Sequence, residues 1–488
     1  MFTDLSPSAR RRVAAWPEQC HRSAGVRRYP YLTLFCVSAG LYLLALKTYF
    51  GYDGQMMFRV TESLALHHTL RVVDPIWHVN EPYATYGLGV PLLLIPFFWL
   101  GQVLTHDGTR LAILYEPVVT AATVAALGRL LGELGCSWWR RVVLCGIYAF
   151  GTLAWYYSTT IFAEPLVGLS LVVTLLGFVH YRRTGQAIGL LIAGIAVAVA
   201  MVARVDSAVM IAIPCFAYVV HLVQRSGASI GPRIGRLAAF VTPAAAGAAV
   251  DLGYNWLRYG NVFDAGHLPY PGTFNTPVWA GLYGLLLSPG AGLLIYCPVA
   301  VLGLVGCWWF VRRFPAEAIL IIGLIAIRLL FYARWDAWMG LEWGARFLMP
   351  VVPLFIIPLA FLPRRRWLDI ATGVTAGLGV AIEVLGQLVP YDTVLWPRLA
   401  PAVAAALHLN APGGCICSSD VDLKVHEAMA TNWQFAPLRG QWQILMSGDH
   451  IAWGYVALLA GGLSLSMLVL RRLATAAPEE PALDQLAA

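Results

Sequence analysis

The chain reads as an all-α polytopic membrane protein, and three observations predict it. Of 488 residues, 59% are hydrophobic and 12% charged, and the mean hydropathy is +0.68; an ordinary soluble domain carries about 25% charged residues. Apolar runs of the ~20 residues that a helix needs to cross the hydrocarbon recur along the chain between short polar breaks. Most Lys and Arg cluster at alternate breaks, as the positive-inside rule requires. The net charge of +7 therefore orients spans, and no nucleic-acid partner is expected.

Residues 1–29 carry Arg10, Arg11, Arg12, Arg22, Arg27 and Arg28 and are expected to form a basic cytoplasmic amino terminus. The following run, 30–50, is longer than the core of a secretory signal and lacks its small-residue cleavage pattern, so it reads as a retained first span. Segment 51–110 is then external. Within it Met56, Val60 and Leu64 recur at helical spacing, predicting an interfacial helix over 55–70.

Residues 87–104 are apolar but interrupted by Pro91 and Pro96, and they decide the topology. If they cross, the count is thirteen, and Arg129, Arg140, Arg141 and every later basic cluster fall outside. If they form a partly inserted, non-spanning helix, about twelve spans remain: 30–50, 111–131, 142–157, 165–182, 186–203, 206–224, 237–257, 292–311, 316–333, 347–362, 368–389 and 451–470. Arg182–Arg183, Arg312–Arg313, Arg364 to Arg366 and Arg471–Arg472 then all become cytoplasmic, which selects this topology. The chain thus divides into the amino terminus, a membrane module 30–389 with its external loop 51–110, an external segment 390–450, a last span 451–472 and an acidic, small-residue-rich tail 473–488 expected to be disordered.

The external segments are long and aromatic-rich and the internal ones short, so function is expected to face outward. Glu116, Asp251, Arg328 and Glu383 lie within spans, each roughly 7–9 Å from its outer end, while Glu164, Arg204 and Asp206 lie at outer ends. Ionisable residues in spans are costly and mark functional sites by default; the alternative for each is snorkelling or structural pairing. Of the nine cysteines, seven sit in apolar or basic stretches as small fillers. Cys415 and Cys417 share an external stretch, but their spacing strains a mutual bridge and no zinc-ligand pattern accompanies them.

Against the spans run, in order, Tyr52-Asp53-Gly54, Tyr86-Gly87-Leu88-Gly89-Val90-Pro91, Phe162-Ala163-Glu164-Pro165, Arg204-Val205-Asp206, Asn255-Trp256-Leu257-Arg258-Tyr259-Gly260, Ser288-Pro289-Gly290, and Trp335, Trp338, Gly344 and Arg346. In this order of motifs the chain resembles the GT-C superfamily of polyprenyl-phosphate-sugar-dependent glycosyltransferases, which includes protein O-mannosyltransferases and aminoarabinose transferases. The resemblance implies that Asp53 is the catalytic carboxylate of the first loop, Glu164 a second acid near it, and Arg346 an arginine that holds the donor phosphate. Two departures stand out: no Lys lies in the Ala84-Thr85-Tyr86 neighbourhood, and Ala291 stands where many relatives have a basic residue.

For such a donor, a phosphate leaving group needs cations rather than a general acid, and Arg346, Arg204 or Arg258 would supply them. One carboxylate then suffices to deprotonate an acceptor hydroxyl, and Asp53 is the expected base, with attack opposite the phosphate inverting the anomeric centre. Asp53 also has a plain reading as a turn residue before Gly54. Tyr86, Asp206, Glu116 and Trp335 are expected to line the substrate site, Trp335 either stacking on sugar or belonging to the interfacial aromatic belt. Segment 390–450, with Trp396, Asp420, Asp422, Lys424, His426, Glu427, Trp433 and Trp442, resembles a lid that could read the acceptor, or a spacer.

The expected activity is transfer of a sugar from a polyprenyl-phosphate donor to an extracytoplasmic glycan or glycolipid at the plasma membrane. A lipid-linked-sugar transporter or flippase is the alternative. No cofactor is implied, and a divalent metal is left open.

Overall fold

The computed structural model describes residues 30–47, 50–72, 82–266, 274–340, 342–409, 419–448 and 453–475. The expected basic amino terminus, residues 73–81 of the loop 51–110, Cys415, Cys417 and the tail beyond Thr475 lie outside the described residues. Among those described, regular structure is entirely helical. Six helices are long and apolar enough to cross a membrane: Gly108–Glu133, Ala163–Thr184, Ile230–Tyr259, Pro315–Arg334, Arg366–Leu388 and Trp453–Thr475. The chain is a multi-pass membrane protein.

Helices also occupy the other predicted span positions, but they are shorter than single runs of apolar residues suggested. The run 142–157 breaks at Gly151, after helix Trp138–Phe150, into a turn at Ala154–Tyr157. The run 292–311 is split by Pro298, which has no N–H to continue a ladder, leaving Val299–Arg313. Pro350, Pro353 and Pro358 likewise reduce 347–362 to a 3-10 stretch, Arg346–Val351, and a short helix, Val352–Leu359. Residues 206–224 open as a wide turn at Ala208–Ala212 before Ile213–Gln224.

Small residues set the packing. Ala163–Thr184 and Ile188–Ala203 meet where Gly177 faces Gly189: a Cβ on Gly189 would lie 2.9 Å from the Tyr181 backbone nitrogen. The second helix meets Ile230–Tyr259 through Gly247, where a Cβ would lie 2.6 Å from the Ala198 Cα. In hydrocarbon, where apolar surface drives no association, such backbone proximity is what holds helices together.

In the loop after the first apolar helix, helix Gly51–His67 begins earlier than expected. Gly51 makes this start possible with a φ of +67°, a left-handed conformation that a side chain would strain. Asp53 thus lies in the first turn of a helix instead of in a turn before Gly54. Gly54 is helical, and a Cβ there would come within 2.8 Å of the Ile161 carbonyl, so the missing side chain lets this helix lie against the 158–162 segment. Met56, Met57 and Val60 are buried on its inner face, His67 and His68 are exposed, and Arg59 pairs with Glu62 at 2.6 Å. The interrupted segment forms helix Gly89–Thr105 with Pro96 inside it; Gly87 and Gly89 seat its start against the backbone of Val202 and Ala203.

Among the described residues, the segment after Arg366–Leu388 opens as a wide turn at Tyr391–Leu395 and continues with helices Trp396–Ala406, Ser419–Thr431 and Pro437–Ser447. It is tied to the membrane module by the Gly290 N–H donating to the Ala430 carbonyl at 2.9 Å and the Gln441 side-chain amide to Val389 at 2.7 Å.

Candidate active site

Asp53 is brought to the inner side of its loop by the first turn of helix Gly51–His67, and Arg346 meets it from 293 residues further along the chain. Gly340, with a φ of +77°, turns the 335–346 segment so that Arg346 points inward, and its carbonyl accepts Arg346 Nη1 at 3.1 Å. Arg346 Nη2 pairs with Asp53 Oδ2, and Nε donates to Glu164 Oε1 at 3.1 Å. Its guanidinium lies 4.2 Å from the Phe162 ring centroid. One planar fork therefore joins two carboxylates and a carbonyl, which an ammonium could not do.

Glu164 stands in the first turn of Ala163–Thr184, where a carboxylate also faces the positive end of the helix dipole. It is fully buried, and the same Oε1 takes Arg204 Nη1 at 2.6 Å. Arg204 continues the chain of contacts through Nε to Asp206 at 3.3 Å and Nη2 to the Tyr332 hydroxyl at 2.8 Å. The Tyr332 hydroxyl in turn donates to Asp206, and its ring stacks on Phe347 with centroids 4.3 Å apart.

At the other end, the Tyr86 hydroxyl donates to Asp53 Oδ1 at 2.8 Å. Burial and the adjacent Asp53 push the Tyr86 phenol well above its ordinary range, so it remains a donor. Arg258 holds this loop from behind, donating to the Ala84 carbonyl at 2.6 Å and to Asn255 at 2.6 Å, with Tyr254 stacked 3.8 Å from its guanidinium.

Asp53, Glu164, Arg346, Arg204, Asp206 and Tyr86 thus form one connected network. The other expected residues stand behind it. Arg258 supports Tyr86, and buried Glu116 accepts the Phe162 N–H at 2.9 Å, fixing the chain just before Glu164. Trp335 ends helix Pro315–Arg334 packed on Phe274, Phe331 and Tyr332. Asp251 is buried one turn before Asn255, Arg328 donates to the Phe347 carbonyl, and Glu383 accepts the Tyr156 N–H at 3.1 Å.

Sequence reasoning missed a second polar cluster beside the first. Lys47 points its ammonium at the face of Tyr156, 3.3 Å from the centroid. The Tyr156 hydroxyl donates to Glu342 at 2.9 Å and receives the Tyr391 N–H at 3.3 Å. Asp392 closes the cluster: its Oδ2 lies where it would be 3.2 Å from a Cβ on Gly51, the residue that starts the Asp53 helix. Burial pushes both the Glu342 and the Asp392 carboxyls up, and at Glu342 the neighbouring Asp392 adds to the rise. The one available signal was that Lys47 is the sole charge in the apolar run 30–50.

Among the described residues, no group of three or more His, Cys, Asp or Glu side chains is disposed to hold a metal ion. No family model matches the chain, and no curated protein does. Solved structures do. The apo crystal structure of ArnT, the aminoarabinose transferase of Cupriavidus metallidurans, superposes with a TM-score of 0.51 over 91% of this chain and 77% of that one, at 13% identity. The chain has the GT-C fold. The same transferase bound to undecaprenyl phosphate matches with a TM-score of 0.46 at 13% identity, covering 92% of this chain and 78% of that one. An oligosaccharyltransferase of Archaeoglobus fulgidus, tethered to an acceptor peptide, gives 0.39 at 13% identity, with 86% of this chain and 55% of that one covered.

Proposed function

We propose that this protein is a membrane glycosyltransferase that moves a sugar from a polyprenyl-phosphate donor to a hydroxyl of an extracytoplasmic glycan or glycolipid. The observation that carries the proposal is the bridge Asp53–Arg346–Glu164–Arg204: two guanidiniums fixed by one buried carboxylate, with a second carboxylate at the edge. Glu164 holds both arginines in place. Asp53 is the exchangeable partner, because its side chain is 15% exposed where that of Glu164 is 0%.

The donor phosphate competes with Asp53 for Arg346 and draws on Arg204 beside it, since guanidinium–phosphate pairing is as strong and as directional as guanidinium–carboxylate pairing. Asp53 Oδ2 is then free to receive the acceptor hydroxyl, while Tyr86 keeps Oδ1 oriented. As the acceptor O–H proton passes to Asp53, the acceptor oxygen bonds to the anomeric carbon and the carbon–phosphate-oxygen bond breaks. Polyprenyl phosphate leaves with its negative charge on the two arginines. Attack opposite the phosphate inverts the anomeric centre. The site lies on the extracytoplasmic face of about twelve spans in the plasma membrane, with helix Gly89–Thr105 inserted without crossing and segment 390–450 covering the site. The ArnT structure bound to undecaprenyl phosphate makes that lipid the first donor carrier to try.

The test is to incubate the purified protein with polyprenyl-phosphate sugars and acceptors of each class, scoring released polyprenyl phosphate and the product anomer. An Asp53→Asn variant is expected to lose roughly 10²–10⁴-fold in turnover while still binding polyprenyl phosphate. Full turnover in Asp53→Asn removes Asp53 as base. Movement of lipid-linked sugar across a bilayer without sugar transfer replaces the transferase with a transporter, and a retained anomer excludes direct inversion.

A further inference from the structure

A cavity of about 660 Å³ opens beside the 335–346 turn, outside the network described above, and Trp279, Tyr283, Asp336, Trp338, Glu427 and Thr431 supply its characteristic chemistry. Three segments make it. Helix Val278–Leu287 offers Trp279 and Tyr283, one turn apart, and helix Ser419–Thr431 offers Glu427 and Thr431, also one turn apart, so each helix presents a single face. The turn between them contributes the other two. Asp336 fastens that wall, its Oδ1 accepting the backbone N–H groups of Asn275 and Thr276 at 3.0 Å each and the Thr276 hydroxyl at 3.1 Å. Trp338 is buried against Gly284, where any Cβ would overlap the indole. Trp279, by contrast, is 76% exposed.

Among the described residues, the lining has three aromatic side chains, two carboxylates, threonine hydroxyls and no Lys or Arg. Carboxylates in a partly enclosed space repel phosphate, so this is no place for the donor headgroup, whose counter-charges lie at Arg346 and Arg204. Aromatic faces beside hydrogen-bond acceptors fit a pyranose, which has a C–H face to lay on a ring and hydroxyls to donate to carboxylates. The position leaves the donor's arginines free: the wall that holds Asp336 and Trp338 runs on to Gly340, whose carbonyl accepts Arg346 at 3.1 Å, so a saccharide held here lies beside the network without occupying its cations.

We propose that this cavity binds phosphate-free saccharide units of the acceptor, with Trp279 and Tyr283 as the stacking surface and Glu427 as a hydroxyl acceptor. The proposal rests on the glycosyl-transfer function above and assigns segment 390–450 a share in choosing the substrate.

The full chain in detergent would be titrated by calorimetry with a panel of neutral and amino oligosaccharides and with the same compounds carrying a phosphate ester. At least one phosphate-free compound is expected to bind, with its phosphorylated counterpart at least tenfold weaker. Trp279→Ala and Glu427→Gln are each expected to weaken that binding, and to raise the acceptor KM, by about tenfold, with polyprenyl phosphate affinity unchanged and Trp279→Phe largely restoring binding. Both side chains are exposed, and melting temperatures check that the variants fold. The proposal is overturned if no compound binds the wild type, if phosphate esters bind as well as their parents, or if the variants bind like the wild type. Sugar transfer with an unchanged acceptor KM in both variants overturns the cavity alone. Saccharide binding that both variants lose, in a wild type that releases no polyprenyl phosphate from any donor, overturns the transferase and leaves the cavity a saccharide site.

Discussion

Two clusters of buried charge meet at the 335–346 turn, and they are built on different cations. In one, Arg346 and Arg204 spread their positive charge over planar forks whose N–H groups are matched to Asp53, Glu164, Asp206, Tyr332 and a carbonyl. In the other, the Lys47 ammonium has no hydrogen-bond acceptor among the described residues and rests on the π face of Tyr156, with Glu342 and Asp392 nearby. A guanidinium stays charged in any such setting, whereas carboxyls pushed up by burial, as Glu342 and Asp392 are, can take up protons. The first cluster is therefore suited to exchanging one anion for another, and the second to responding to pH.

Replacing Arg346 by lysine separates the two chemistries most sharply. The charge is kept, but one ammonium cannot reach Asp53, Glu164 and the Gly340 carbonyl together, and Glu164 is left buried with a single cation. Loss of two charge-assisted bonds predicts a fall in kcat/KM of about 10²–10³-fold. A lower melting temperature is also expected, because an incompletely paired buried carboxylate is destabilising. If Arg346→Lys transfers sugar at the wild-type rate, the fork geometry is irrelevant and charge alone suffices.

A smaller effect is expected at the edge of the same cluster. Tyr86→Phe removes the 2.8 Å hydroxyl bond to Asp53 and little else, since Arg258 holds the loop through the Ala84 carbonyl. The loss of one hydrogen bond to a charged group, about 1.5 kcal/mol, corresponds to roughly tenfold in kcat with the donor KM unchanged. An increase in donor KM instead would assign Tyr86 to the phosphate.

Much of the first cluster was legible in the sequence, and almost none of the second. Asp53, Glu164, Arg204 and Arg346 each sit at the end of an apolar run or in a motif of recognisable order, so their convergence follows once the helices are folded together. Even so, the pairing of Arg346 with Asp53, 293 residues apart, has no local signature; it depends on Gly340 and Gly51 taking left-handed conformations. Lys47 was hidden because hydropathy absorbs one charge in an apolar run. Asp392 was hidden because it follows an apolar run whose continuation showed no periodic pattern. Helix lengths were over-read where Pro298, Pro350 and Gly151 interrupt runs that composition alone presents as continuous.

The smallest effect tests the second cluster through proton linkage. Burial, with Asp392 beside it, raises the Glu342 carboxyl well above 4.5 in the folded protein. Above that unfolded value the folded protein keeps a proton that the unfolded chain has lost, so the contribution of Glu342 to stability is fully present below about 4.5 and is lost as pH rises towards the folded value. The melting temperature of the wild type relative to Glu342→Gln, whose amide stays neutral, is therefore expected to fall as pH is raised from about 5 to 8, with both proteins in the same detergent. A difference that stays flat over this range would mean that Glu342 is ionised in the folded protein, and the two clusters would then differ in shape but not in chemistry.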